Sequence, residues 1–309
     1  MTLAAVPRTW AYRHLLDVDE LDRTELERVL DLAVEMRAAR AARERRDPLA
    51  DEIVALAFYE PSTRTRINFE LAAAALGARS VDLHVSASSV EKGESLVDTL
   101  RTLERTGVTI AVLRHPASGA PYLAARTTGL RIVNAGDGIH AHPTQALADA
   151  LTVREALGSL EGRKVAIVGD VARSRVARSD IHALGKLGAE VWVSGPPPFI
   201  DGFDAWPGVR VAELDRALDG ADAVIALRIQ VERGSGGPAV REYASGWGLT
   251  EERIALHAPH AWVLHPGPTN EGIEISAELA SGPRSLIGRQ VENGVPIRMA
   301  VLAQVAGAA

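Results

Sequence analysis

From Pro61 to Arg66 the chain reads Pro-Ser-Thr-Arg-Thr-Arg, three hydroxyls and two guanidinium groups directly after an apolar run at 53–59. If that run is a strand and the hydroxyls open a helix, N–H groups, hydroxyls and a guanidinium converge on one point, which suits a phosphate. The plainer reading of the same residues is a Ser/Thr helix cap with two solvated arginines. Position favours the first, because a surface arginine need not fall at the carboxyl end of a strand. The segment is not a Walker loop, which needs Gly-x-x-x-x-Gly-Lys-Ser/Thr.

A second cluster is Asn134-Ala135-Gly136-Asp137-Gly138, followed by His142-Pro143-Thr144-Gln145. Two glycines free the turn, Pro143 suits a first helical position, and His142 and Gln145 share one helix face. So placed, a histidine can polarise a carbonyl and an amide can bind an NH2 group. Arg114-His115-Pro116, Arg228-Ile229-Gln230 and His265-Pro266-Gly267-Pro268 each end an apolar run. The last must turn its carbonyls within four residues, which predicts a cis peptide between Gly267 and Pro268. Gly169-Asp170 closes another run in the manner of a dinucleotide strand. The continuation Val171-Ala172-Arg173-Ser174-Arg175 lacks the later glycines of Gly-x-Gly-x-x-Gly, so the nicotinamide reading is weak. The polar loop from Ser88 to Ser95 carries Lys92; taken alone it reads as a solvated connection. No His-Glu-x-x-His or comparable pair occurs among the nine histidines, His257 and His260 read as surface or packing residues, and no metal is predicted.

Elements must bring these groups together. Asp22 and Glu25 predict a capping box, opening a helix that buries Leu26, Val29, Leu30, Ala33 and Met36. Strands are then predicted at 53–59, 80–85, 110–113 and 131–134, with helices at 63–76, 96–105, near Tyr122 and at 142–157. The alternation restarts with strands at 164–168, 190–193, 209–212, 223–227 and 262–264. Helices are predicted at 176–187, near Leu218 and over 297–305. The stretch 233–247, with Gly234, Gly236, Gly237 and Gly246, is predicted to be a mobile loop that orders on substrate binding. Such alternation means an α/β fold of two domains, each a parallel sheet flanked by helices. The predicted domains are 1–142 and 143–292, with 293–309 packing back on the first. Ligands in such sheets sit beyond the carboxyl ends of the strands. The residues there are rich in Arg, His, Ser and Thr and poor in acids, which describes an anion site.

Composition narrows the partners. The 309 residues carry a net charge of −6, which argues against a nucleic-acid surface. No apolar stretch approaches the ~20 residues of a membrane span. The first residues, broken by Pro7, Arg8, Arg13 and His14, have no signal-peptide core, so a cytoplasmic protein is predicted. With no cysteine there is no disulfide, thiol nucleophile or Cys-held metal. Of 34 Lys and Arg only Lys92, Lys164 and Lys186 are lysine, so each lysine is a rare choice.

Phe58-Tyr59-Glu60-Pro61-Ser62-Thr63-Arg64-Thr65-Arg66, Arg114-His115-Pro116 and His142-Pro143-Thr144-Gln145 resemble the signatures of the carbamoyltransferases. The resemblance continues through Gly169-Asp170, Arg228-Ile229-Gln230 and His265-Pro266-Gly267-Pro268, in order and over nearly the whole chain. Within the family it points to the members that carbamoylate aspartate. Glu60 stands where the ornithine enzymes usually carry lysine, Arg228-Ile229-Gln230 is similar to the aspartate-side loop, and His265-Pro266-Gly267-Pro268 replaces His-Cys-Leu-Pro. Glu271 departs from the arginine of many bacterial members.

The resemblance implies transfer of the carbamoyl group of carbamoyl phosphate to the amine of L-aspartate, giving N-carbamoyl-L-aspartate and phosphate, early in pyrimidine biosynthesis. It implies that domain 1–142 binds carbamoyl phosphate, with Ser62, Thr63, Arg64 and Thr65 on the phosphate. Arg64, Thr65, Arg114 and His142 would reach the carbamoyl carbonyl and Gln145 its NH2. Domain 143–292 would bind aspartate, with Arg175 on the α-carboxylate, Arg228 on the side-chain carboxylate and Gln230 in support. The Pro266 and Gly267 carbonyls would accept from the substrate nitrogens. Ser88 and Lys92 would come from the neighbouring chain of a homotrimer with shared active sites, and no cofactor is needed. Whether a regulatory chain or a dihydroorotase joins the assembly stays open. Two rivals are a carbamoyltransferase for another amine and an inactive, anion-binding paralogue. Arg64, Arg114, His142 and Gln145 argue against the second, since a mere binder needs no groups aimed at a carbonyl.

Overall fold

Asp22 caps the first helix, α1 (Arg23–Ala41), as expected: its side chain accepts from the Glu25 N–H while the Glu25 carboxylate accepts from its own N–H. The buried stripe is Leu26, Val29, Leu30 and Ala33, and Met36 is half-buried. The structure, a computed structural model, describes residues 12–44, 47–83, 94–229 and 239–308. They form two compact units: Met1–Thr144 together with Gly294–Ala309, and Gln145–Asn293.

In the first unit, strands β1 (Ile53–Phe58), β2 (Arg79–Leu83), β3 (Ile110–His115) and β4 (Arg131–Asp137) form a parallel sheet in the order β2-β1-β3-β4. They alternate with α2 (Thr63–Ala75), α3 (Leu96–Arg105) and α4 (Ala120–Thr127). Ala55, Ala57, Ala111, Leu113 and Ile132 from the strands pack with Leu100 and Ala124 from the helices into one core. β4 continues past the predicted end at Asn134. Asn134 stays in the strand, fully buried, because every polar atom of its amide is used: it donates to Leu16 O and Asp137 Oδ1 and accepts from the Gly136 N–H. α5 (Pro143–Leu157) then leads into the second unit.

There β5 (Lys164–Val168), β6 (Glu190–Ser194), β7 (Val209–Val211), β8 (Ala223–Ala226) and β9 (Trp262–Leu264) form a parallel sheet in the order β7-β6-β5-β8-β9. The intervening helices are α6 (Arg175–Lys186), α7 (Pro197–Ile200), α8 (Leu214–Leu218), α9 (Val240–Trp247), α10 (Glu251–His257) and α11 (Ala277–Ser281). α9 corrects the predicted loop: Tyr243, read as loop, is buried against Phe199 and Ile229, and that burial fixes a helix despite Gly246. Residues 233–238 of that loop lie outside the described residues.

The last helix, α12 (Ile287–Ala306), begins well before the predicted start at 297. It runs through Pro296, and a proline inside a helix costs about 3 kcal/mol. Burial of Val295, Ile297, Ala300, Val301 and Leu302 around it outweighs that penalty. Its C-terminal part returns to the first unit as predicted, with the Arg298 guanidinium 5.2 Å from the Phe69 ring of α2 and donating to Gly294 O at 2.8 Å. Among the described residues no helix is long and apolar enough to cross a membrane.

Candidate active site

Strand order locates one crevice in each unit. In β2-β1-β3-β4 the connections leave β1 in opposite directions, so the switch point falls between β1 and β3. Ser62, Thr63, Arg64 and Thr65 follow β1, and Arg114 ends β3. Ser62 is the N-cap of α2, yet its side chain makes no capping bond, and the first turn holds no acid, unlike the first turns of α1 and α3. The leading N–H groups of a helix have no intrahelical acceptor and carry its partial positive charge. This end therefore offers N–H groups, the Ser62 and Thr63 hydroxyls and the exposed Arg64 to an anion, with Thr65 buried behind them. Arg66 does not join the set, because it pairs with Asp82 on β2.

Arg114 sits where the pairing of β3 with β4 shifts register between Leu113 and His115, an irregularity that re-aims a side chain. Its Nη1 donates to Ala135 O at 3.2 Å, and its Nε lies 3.7 Å from Glu60 Oε2. His142, 5% exposed, directly precedes α5 and is delivered by a turn built on Asp137. The Asp137 carboxylate accepts from Asn134 Nδ2 at 2.8 Å, the Gly119 N–H at 2.6 Å, the Ala141 N–H at 3.2 Å and His140 Nδ1 at 3.1 Å. Burial pushes this carboxyl up, but the hydrogen bonds from His140, Asn134 and Gly119 outweigh it and hold it below the usual carboxylate range. The bond to Asp137 in turn raises His140, against its partial burial. Gly138 has φ +48°, and a Cβ there would run into the Ser118 hydroxyl and backbone N, so the turn admits only glycine.

In the second sheet the switch point lies between β5 and β8. Gly169 (φ +131°) lets the ends of these strands meet, since a Cβ would stand 3.0 Å from Leu227 Cβ and 3.1 Å from Leu227 O. Asp170, 1% exposed, is held by Arg173 Nε at 2.9 Å, and Ser174 caps α6 by accepting from the Ala177 N–H. Arg175 is therefore the first residue of α6, and Arg228 follows β8 two residues on; both are half-buried. After β9 the Gly267–Pro268 peptide is cis, as predicted, with Pro266 and Gly267 half-buried. Gln145 of α5 belongs to this unit, and its Nε2 donates to Asp149 Oδ1 at 2.8 Å. An ionised carboxylate oxygen can only accept, so the Gln145 amide turns its NH2 to Asp149 and leaves Oε1 as the acceptor.

The structure thus brings Ser62, Thr63, Arg64, Thr65 and Arg114 to one switch point and Arg175 and Arg228 to the other. Ser88, Lys92 and Gln230 lie outside the described residues. The first group can hold a phosphate and present donors to an oxyanion; the second can hold carboxylates. Sequence reading named Asp137 only as part of a turn, and it missed three supporting groups: Asp149, Glu274 and Gln290. The signal was available for two of them, since Asp149 lies in Ala-Leu-Ala-Asp-Ala-Leu and Glu274 between Ile273 and Ile275. An acid in an apolar run must be buried with partners. Asp180, also buried, is pushed well above the usual carboxylate range by burial and by the nearby Asp149 charge, which favours its neutral form.

Comparison with known proteins gives two family profiles covering most of the chain. "Aspartate/ornithine carbamoyltransferase, carbamoyl-P binding domain" matches residues 13–155, and "Aspartate/ornithine carbamoyltransferase, Asp/Orn binding domain" matches 161–305. The aspartate carbamoyltransferase catalytic subunit of Chloroflexus aurantiacus is 50% identical over 303 residues, covering 96% of this chain and 98% of its own. Among solved structures, the aspartate transcarbamoylase of Trypanosoma cruzi in complex with carbamoyl phosphate and aspartate is 30% identical with a TM-score of 0.82, covering 94% of this chain and 95% of its own. The ornithine carbamoyltransferase of Pyrococcus furiosus is 26% identical with a TM-score of 0.84, covering 96% and 97%. Backbone likeness alone therefore does not separate the two acceptors.

Proposed function

This chain belongs to the aspartate/ornithine carbamoyltransferase family, and on that premise we propose that it is the member that carbamoylates L-aspartate. It transfers the carbamoyl group of carbamoyl phosphate to the α-amine, giving N-carbamoyl-L-aspartate and phosphate, an early step of pyrimidine biosynthesis. The observation that carries the choice is the pair Arg175 and Arg228 at the β5/β8 switch point. Two guanidinium groups suit a substrate with two carboxylates, whereas ornithine would bring a cation. The 50% identity to an aspartate enzyme supports the same acceptor.

In this reading Ser62, Thr63, Arg64 and Thr65 bind the phosphate. Arg64, Thr65, Arg114 and His142 donate to the carbamoyl oxygen, and Gln145 Oε1 accepts from the carbamoyl NH2. Arg175 takes the α-carboxylate and Arg228 the side-chain carboxylate, with Gln230 in support. The Pro266 and Gly267 carbonyls accept from the substrate nitrogens. The neutral amine attacks the carbamoyl carbon, the carbonyl oxygen becomes an oxyanion held by fixed donors, and the C–O bond to phosphate breaks. The departing phosphate takes the amine proton. Preformed donors and two clamped substrates supply the rate, through electrostatic stabilisation and proximity. The reading further carries a cytoplasmic homotrimer in which Ser88 and Lys92 of one chain complete the site of the next.

An acceptor panel tests it. With carbamoyl phosphate saturating, kcat/KM for L-aspartate is expected to exceed that for L-ornithine by at least about 10³-fold, because a half-buried guanidinium left facing an ammonium loses its partner and gains repulsion. Equal use of the two amines would overturn the assignment.

A further inference from the structure

His265 is the residue on which the second unit's acceptor elements converge. It is 1% exposed, and its backbone N–H and both ring nitrogens are engaged. Its backbone N–H donates to Gln290 Oε1 at 2.8 Å, and Gln290 Nε2 donates to Asp149 Oδ1 at 2.8 Å, the oxygen that also holds Gln145. Its ring Nδ1 lies 2.7 Å from the Gly267 N, which can only donate. Nδ1 is therefore the acceptor and Nε2 carries the proton, which points at Glu274 Oε1 at 3.1 Å.

Glu274, 1% exposed, gathers three more N–H groups: Asn270 N at 2.5 Å, Asn270 Nδ2 at 3.2 Å and Ile229 N at 3.4 Å. Asn270 Nδ2 also donates to Ile229 O at 3.1 Å. The peptide groups on both sides of Ile229, next to Arg228, are thus clamped by Glu274 and Asn270.

Peptide geometry turns these bonds into aim. The Pro266–Gly267 peptide is trans and planar, so its C=O points opposite to its N–H. Fixing the Gly267 N–H on the imidazole directs the Pro266 carbonyl away from His265. We propose that His265 and Glu274 are a positioning pair for the acceptor side of the site: the ring aims the Pro266 carbonyl, and Glu274 holds the segment that carries Arg228. The inference rests on the aspartate reading above, in which that carbonyl and Arg228 receive the substrate.

Two substitutions separate the tasks. An asparagine side chain reaches about as far as Nδ1 of a histidine, and a glutamine about as far as Nε2. His265→Asn keeps an acceptor for the Gly267 N–H and loses the tie to Glu274; His265→Gln does the reverse. For His265→Asn, kcat is expected within about threefold of the parent, with KM for aspartate raised about tenfold. For His265→Gln, kcat is expected to fall by about 10²-fold, the size of effect that ~1 Å of misplacement produces. KM for carbamoyl phosphate should be unchanged in both. Glu274→Gln should follow His265→Asn. Variants that change kcat and both KM values together, or that change nothing, overturn the pairing. A direct readout needs no variant: ¹⁵N shifts of the histidine-labelled wild-type enzyme should report His265 protonated at Nε2 and accepting at Nδ1, and the opposite tautomer would overturn the proposal. A wild-type chain that makes no carbamoyl-aspartate sinks the functional reading instead, and leaves the tautomer measurement to decide the geometry.

Discussion

Asp137→Asn tests whether the turn before His142 is held by a charge. The substitution preserves shape. If the new amide keeps its oxygen on Asn134 Nδ2 and the Ala141 N–H, its NH2 must replace Oδ2, which now accepts from the Gly119 N–H at 2.6 Å and His140 Nδ1 at 3.1 Å, and His140 Nδ1 keeps only its 3.2 Å contact to the retained oxygen. Two bonds to a charged acceptor are lost, each worth about 1.5–3 kcal/mol, and an N–H is left facing a donor. His140 can shed its proton and recover part of this, which gives a net loss of about 3 kcal/mol. At roughly 2–4 °C per kcal/mol for a domain of this size, Tm should fall by about 6–12 °C in a thermal unfolding experiment followed by circular dichroism. The pH dependence has a definite sign. Asp137 is depressed in the folded state, so its contribution is present above the unfolded value near ~3.9 and is lost as pH falls through the lower folded value. His140 is raised, so its contribution is complete below ~6.5 and is lost as pH rises through its higher folded value. The gap between parent and variant should be widest between about pH 4 and 6.5 and narrow on either side. A Tm difference under about 2 °C, or a gap that widens toward pH 9, would refute the charge clamp.

Other consequences can be read in activity. Arg114→Ala should lower kcat by about 10²–10³-fold with the fold retained, as expected for loss of one oxyanion donor. Arg228→Ala should leave carbamoyl-phosphate binding alone and raise KM for aspartate by about tenfold or more; a normal aspartate saturation curve would show that the acceptor site is misplaced. For the shared site, Lys92→Ala and His142→Ala subunits, each nearly inactive, can be dissociated and reassembled together. If Lys92 serves the neighbouring chain, about a quarter of interfaces regain an intact pair and activity rises far above either parent; if it serves its own chain, mixing recovers nothing.

Much of the framework was legible because local pattern and global fold agree. Asp22 with Glu25, the apolar runs at 110–113 and 164–168, and the glycines after α2 and α5 each announce their element without help from the rest of the chain. The candidate site residues of the first unit were legible for the same reason, since Ser62, Thr63 and Arg64 follow β1 and Arg114 lies at the end of β3. What local reading misjudged depends on distant contacts. Pro296 lies within a helix because the residues around it are buried. Tyr243 makes a helix of an apparent loop by packing on Phe199 and Ile229. Glu274 drew no attention because the segment it holds, at Ile229, lies 45 residues away in the sequence, while the exposed Glu271 beside it stood out as a departure from pattern.

The central claim is the destination of the carbamoyl group, and it can be followed directly. ¹³C-labelled carbamoyl phosphate is given to the purified chain with an equal mixture of L-aspartate and L-ornithine, and the products are read by NMR beside a phosphate assay. The account predicts that the label appears in N-carbamoyl-L-aspartate, one phosphate released for each label transferred, with no labelled citrulline. Label in citrulline, or phosphate released without a carbamoylated amine, would contradict it.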